Sequence, residues 1–166
     1  MPVLDQSYTE PDGVGAAINE GCRYIAQTFT AGLTGTLTGV NVDILSRRDA
    51  PPLRITIRHA MNDRPQGAPL GIRYQAQRRV RLFGSPIAFS EEISVVAGQR
   101  YAIQVNYGGA ELGSGWLGSW AGGAGNGYLG GRKLGGDCPT YGGTGFWHAE
   151  DPFVDLHFRT FVDPAP

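Results

Sequence analysis

Sixteen of the chain's 26 glycines fall between Gly108 and Gly145. Trp116 and Trp120 lie in the same stretch, and Trp147, the third tryptophan, lies just beyond it. Glycine at this density cannot sustain a helix and weakens any strand it enters. The segment is therefore predicted to be mostly loops and turns. Large rings set among glycines do one of two jobs. They peg into a neighbouring scaffold, or they form an exposed platform for a flat ligand such as a sugar ring. Both readings stand from the sequence.

The rest of the chain alternates apolar and polar residues with period two, the mark of half-buried strands. Tyr24 to Thr30 reads as a strand, as does Thr36 to Leu45, where Val40, Val42 and Ile44 alternate with Asn41 and Asp43. Pro51-Pro52 interrupts, and Leu53, Ile55 and Ile57 then alternate with Arg54, Thr56 and Arg58. Residues 62–69 (NDRPQGAP) form a dense turn signal. Ile72 to Phe83 is predicted as a strand bearing Arg73, Arg78, Arg79 and Arg81. Such charge ordinarily keeps an exposed edge soluble; binding of an acidic polymer is the second reading. Short strands at 87–89 and 93–96 follow, then Arg100 to Tyr107 and a closing strand from Phe153 to Val162. No helix or internal repeat is read. The pattern predicts an all-β protein, a single antiparallel β-sandwich of seven to nine strands, with a long Gly/aromatic-rich loop region. Val42, Ile55, Ile57, Ile103, Val105, Leu156 and Phe158 are its expected core.

The chain's 166 residues suit one domain. The expected division is an N-terminal arm over 1–21, the sandwich over 22–163 and a short tail over 164–166. A formal net charge of −1 argues against nucleic-acid binding, which needs a basic surplus. Lys133 is the only lysine beside thirteen arginines; this reflects base composition, or use of the guanidinium fork on carboxylates. No apolar run reaches the ~18 residues of a membrane span. The opening MPVLDQSYTEPDG has neither a basic nor an apolar signal region, so no signal peptide is read in it. Cys22 and Cys138 form either one disulfide or two separate thiols, and no zinc spacing is present.

Several short motifs follow one another in a familiar order. They are Ala26-Gln27-Thr28-Phe29-Thr30-Ala31, Gly35-Thr36-Leu37-Thr38-Gly39-Val40 and Arg54-Ile55-Thr56-Ile57-Arg58. The Arg64-Pro65-Gln66-Gly67-Ala68-Pro69-Leu70 turn comes next, then residues 93–103 (ISVVAGQRYAI) and 155–162 (DLHFRTFV). In this the chain resembles the jelly-roll β-sandwich modules appended to bacterial extracellular and surface proteins, many of carbohydrate-binding type. The resemblance covers about residues 24–162. It implies a noncatalytic binding or adhesion module of an extracellular or surface protein; with no signal peptide read, a virion is the other expected location. Its ligand contacts would lie on loops or on one sheet face, and it brings no catalytic residues.

Sugar recognition needs rings for the pyranose faces and planar polar groups for hydroxyls. Trp116, Trp120, Tyr128, Tyr141 and Trp147 are the candidate rings, and Glu111, Asn126, Arg132 and His148 the candidate hydrogen-bonding groups. Trp116 and Trp120 are the favoured pair, because positions four apart in an extended chain face the same side. The expected partner is a glycan or cell-surface polysaccharide, with no nucleic acid and no membrane insertion. No cofactor is expected. A structural calcium at the acidic residues near His148, Glu150, Asp151, Asp155 and His157 is a minor alternative. No hydrolase motif is present and the protein is read as not an enzyme. The rival reading is a structural subunit of a virus-like particle or surface assembly, a homo-oligomer or larger, whose aromatic loops pack against neighbours.

Overall fold

The computed structural model describes residues 1–10, 14–19, 24–76, 79–107, 116–124, 128–136, 147–148 and 154–166. The described residues contain no helix and form fifteen strands. These are β1 (Val3–Tyr8), β2 (Val14–Asn19), β3 (Tyr24–Thr30), β4 (Gly35–Val42) and β5 (Ile44–Ser46). Then come β6 (Leu53–Met61), β7 (Arg64–Gln75), β8 (Arg79–Val80), β9 (Ile87–Val95) and β10 (Arg100–Tyr107). The chain ends with β11 (Trp116–Ala124), β12 (Lys133–Gly136), β13 (Trp147–His148), β14 (Val154–Leu156) and β15 (Phe158–Pro164).

All pairings are antiparallel, in three sheets. A four-stranded sheet runs β1-β15-β4-β9, and a six-stranded sheet runs β13-β12-β3-β10-β6-β7. A five-stranded sheet runs β14-β11-β5-β8, with β2 on the other edge of β11. The inward residues of all three sheets form one apolar cluster, which makes the architecture sandwich-like. Phe29 of the six-stranded sheet meets Phe158 of the four-stranded sheet across it, ring centroids 6.0 Å apart. The seven residues expected in the core are all fully buried.

The described part of the N-terminal arm is tied into sheets: β1 pairs with β15, and β2 pairs with β11. Four details differ from the sequence expectation. The predicted strand from 36 to 45 divides at Asp43, and the closing strand divides at His157. At these two points the chain changes sheets, and both are tied to Ala121 of the glycine-rich segment. The Ala121 N–H donates to the Asp43 carbonyl at 2.8 Å, and the Ala121 carbonyl accepts the His157 N–H at 2.8 Å. The turn expected over 62–69 contracts to two residues, Asn62 and Asp63, with φ of 52° and 57°. That is the hairpin geometry matching strand twist. Pro65 and Pro69 sit in β7, which as an edge strand does not need every N–H. The predicted strand from 72 to 83 is split between β7 and β8, which belong to different sheets.

The glycine-rich stretch itself is strand over residues 116–124 and 133–136, and not only loop. Here glycine provides close approach rather than unusual backbone angles. A Cβ at Gly118 would strike the Tyr107 hydroxyl and come within 2.7 Å of the Leu45 carbonyl oxygen. The Tyr107 hydroxyl occupies that space to donate to Ser46 Oγ at 2.7 Å.

Candidate functional site

In β6, Leu53, Ile55 and Ile57 face the core, so Arg54, Thr56 and Arg58 face outward. In β10, Tyr101, Ile103, Val105 and Tyr107 face inward, leaving Ala102, Gln104 and Asn106 outside. Pairing sets these outward residues side by side: Asn106 against Arg54, Gln104 against Thr56, Ala102 against Arg58. On the flank, β7 places Tyr74 beside Arg54 and Ile72 beside Thr56. On the opposite flank, β3 adds Ala26 beside Gln104 and Thr28 beside Ala102, with Tyr24 next on the same face. The outer face of the six-stranded sheet is thus a floor of amides and hydroxyls under two guanidinium groups, with a tyrosine on each side.

The floor is deeply set. Thr56 is 0 %, Gln104 4 % and Asn106 6 % exposed, while Arg54 and Arg58 are half-buried and Tyr74 is 56 % exposed. Arg58 Nε donates to Gln104 Oε1 at 3.0 Å and its Nη1 donates to the Gly67 carbonyl. Burial and then the charge of Arg54 depress the Arg58 pKa. Arg54 Nε, Thr56 Oγ1 and Asn106 Oδ1 are buried and have no hydrogen-bond partner among the described residues. Leaving a buried donor or acceptor unpaired costs about 1–3 kcal/mol each. Folded proteins keep few of them, and a cluster on one face calls for a cause.

The residues singled out from sequence lie elsewhere. Trp120 is fully buried, and its Nε1–H donates to the His157 carbonyl at 2.8 Å. It therefore offers no surface to a ligand. The alternation that put Trp116 and Trp120 on one side is interrupted by a register shift between Trp116 and Gly118. Tyr128 is also interior. Its N–H donates to Asp155 Oδ2 at 2.9 Å, its hydroxyl donates to Gln6 Oε1 at 3.0 Å, and burial pushes its pKa up to about 12. Its ring stands edge-on to Phe158 at 5.0 Å. Arg132 is half exposed and is held, with Arg100, by Asp63 of the β6–β7 hairpin; the Arg132 Nη2–Asp63 Oδ2 distance is 2.8 Å. The side chains of Trp116, Trp147 and His148, and the whole of Glu111, Asn126 and Tyr141, lie outside the described residues, as do Cys22 and Cys138.

Asp155, a member of the acidic group considered for calcium, points inward. It accepts from Gln27 Nε2 at 3.2 Å as well as from Tyr128, and Gln27 Oε1 in turn accepts the Leu156 N–H at 2.8 Å. Those contacts make it a buried structural group. No cluster of three or more His, Cys, Asp or Glu able to hold a metal occurs among the described residues. The arginine-bearing segment beyond β7 borders a surface depression of about 380 Å³ lined by Arg79, Arg81 and Ser85. Asn41 Nδ2 holds that turn through the Gly84 and Ser85 carbonyls, at 3.1 and 3.3 Å.

Sequence reasoning concentrated on aromatic residues near glycine and passed over the polar face. Its residues come from four strands, β3, β6, β7 and β10, spread from Tyr24 to Tyr107, and each alone reads as an ordinary solvent-facing position. No family model matches this chain, and no curated protein or solved structure is significantly similar to it.

Proposed function

We propose that the protein is a noncatalytic carbohydrate-binding module of jelly-roll type, acting outside the cell, with its ligand on the outer face of the six-stranded sheet. The strand order supports the fold part of this reading. Let β1, β3, β4, β6, β7, β9, β10 and β15 be eight strands counted in sequence. The four-stranded sheet then has the order first-eighth-third-sixth, and the facing strands the order second-seventh-fourth-fifth. That is the interleaving produced by folding one long hairpin over on itself, two Greek keys in a double sheet.

The single observation carrying the functional part is the cluster of Arg54, Thr56 and Asn106. Their buried polar atoms, without a hydrogen-bond partner among the described residues, lie between Tyr24 and Tyr74 on one sheet face. Amides, hydroxyls and guanidinium groups flanked by rings are the set that polyhydroxylated ligands require. A glycan array followed by calorimetry on the hits tests the reading, with Tyr74→Ala as the diagnostic variant. The exposed ring contributes little to stability, so the variant should melt within about 0.5 kcal/mol of the parent. It should lose most of the glycan affinity, as aromatic anchors carry most of a binding surface's energy. Unchanged affinity in Tyr74→Ala would remove the face from consideration.

The reading as a subunit of a larger assembly has one observation in its favour. Strand β1 ends the four-stranded sheet with Val3 and Leu4 exposed, an edge available for pairing with a further strand. A solution mass above that of the monomer at micromolar concentration supports that reading.

A further inference from the structure

Charge is distributed very unevenly between the two facing sheets. The strands of the six-stranded sheet contain Arg54, Arg58, Arg64, Arg73, Arg100 and Lys133 and not one Asp or Glu. The strands of the four-stranded sheet contain Asp5, Glu91, Glu92 and Asp163 against Arg159 alone. A net charge of −1 for the whole chain conceals this.

On the outer face of the six-stranded sheet the imbalance is local. Among the described residues Arg47 pairs with Asp49, and Arg100 and Arg132 pair with Asp63. Arg54 and Arg58 form no ion pair with a carboxylate among the described residues. They share one face with only Thr56 between them on the strand, and Arg58 is depressed by the neighbouring positive charge as well as by burial. Nearby, Glu91 accepts the Ile72 N–H at 3.2 Å, but it stands on β9 of the other sheet. Two half-buried cations that repel each other above an uncharged floor lower their energy when a negative group arrives.

We infer that the glycan taken by this face is acidic, an oligosaccharide carrying carboxylate or sulfate groups that the half-buried Arg54 and Arg58 hold beside the exposed ring of Tyr74. The inference rests on the glycan-binding reading above and narrows it. Guanidinium groups suit the assignment because their planar fork matches a carboxylate or sulfate with two parallel hydrogen bonds. The two arginines stand four residues apart on one strand, roughly 13 Å at ~3.3 Å per residue. That span suits an oligomer with repeated negative groups better than a single small anion. A nucleic-acid strand is the less favoured polyanion, because the face offers two guanidinium groups and an otherwise uncharged floor rather than a continuous basic track.

The test is calorimetric titration of the intact protein with three probes of matched length. These are an oligouronate, a neutral oligosaccharide and a single-stranded oligodeoxynucleotide. The proteins are the wild type, Arg54→Gln, Arg58→Gln, Arg54→Lys and Tyr74→Ala, each first shown by melting to be folded. The expected result is binding of the oligouronate alone, weakened by added salt. Each glutamine variant should lose about tenfold or more, as for loss of a charge-assisted hydrogen bond, and Arg54→Lys should lose less than Arg54→Gln. Equal binding of the neutral oligosaccharide, lost in Tyr74→Ala and kept in both glutamine variants, overturns the acidic assignment and leaves the face as a glycan site. Binding of neither sugar, or sugar binding indifferent to all four substitutions, overturns the glycan-binding reading itself. Tighter binding of the oligodeoxynucleotide than of the oligouronate overturns the assignment in favour of nucleic acid.

Discussion

Trp120→Ala separates the two jobs that a ring among glycines can do. The side chain is fully buried in the apolar cluster, and its indole N–H is spent on the His157 carbonyl. A tryptophan buries up to about 250 Å², worth about 6 kcal/mol at ~25 cal/mol per Å². Residual burial in the unfolded chain reduces such a figure by roughly 10–40 %. The remainder, about 4–5 kcal/mol, falls in the range observed for removing large aromatic residues from cores. In a chain of this size each kcal/mol moves the melting temperature by about 2–4 °C, so Trp120→Ala should melt roughly 8–20 °C below the wild type. Trp120→Phe isolates the hydrogen bond. It keeps much of the packing but leaves the His157 carbonyl without its donor, at a cost of about 1–3 kcal/mol from that cause. Chemical denaturation monitored by circular dichroism measures both. A loss below about 1 kcal/mol in Trp120→Ala would refute the placement of this ring at the junction of the sheets. So would a folded Trp120→Ala that had lost only ligand binding.

Burial pushes the Asp155 carboxyl above its ordinary 3.8, against the lowering effect of the Tyr128 N–H and the Gln27 amide. With the folded pKa above the unfolded one, the folded state holds the proton more tightly, so this group's contribution to stability falls as pH rises through that interval. Asp155→Asn should therefore gain on the wild type as pH rises above the range in which the unfolded carboxyl titrates, and parallel curves of melting temperature against pH would contradict the burial argument. Gly118→Ala should cost about 1–3 kcal/mol through overpacking. Combining it with Tyr107→Phe, which clears the hydroxyl but not the Leu45 carbonyl, should recover part of that loss; strict additivity in the double-mutant cycle would mean the two groups do not meet.

The sequence alone determined Arg100–Tyr107, whose period-two pattern is complete, and Tyr24–Thr30, rich in β-branched and aromatic residues, as well as the inward residues from Val42 to Phe158. Alternation is a local property of an extended chain, so a local reading recovers it. The charge asymmetry became visible only with the pairing, which assigns the six strands lacking Asp and Glu to one sheet. Partnership was not legible. Nothing near Val3 announces that β1 pairs with β15 more than 150 residues away, because backbone hydrogen bonds carry no sequence code and the pairing is selected by burial of the whole core. Nothing in WLGSW shows that its second ring lies inside. Its place is decided by Ala121, which joins Asp43 and His157 from distant parts of the chain. The polar face belongs to the same class. Thr56 and Asn106 join Arg54 only when β6 and β10 pair, and only that register gathers scattered positions into a buried polar cluster without partners among the described residues.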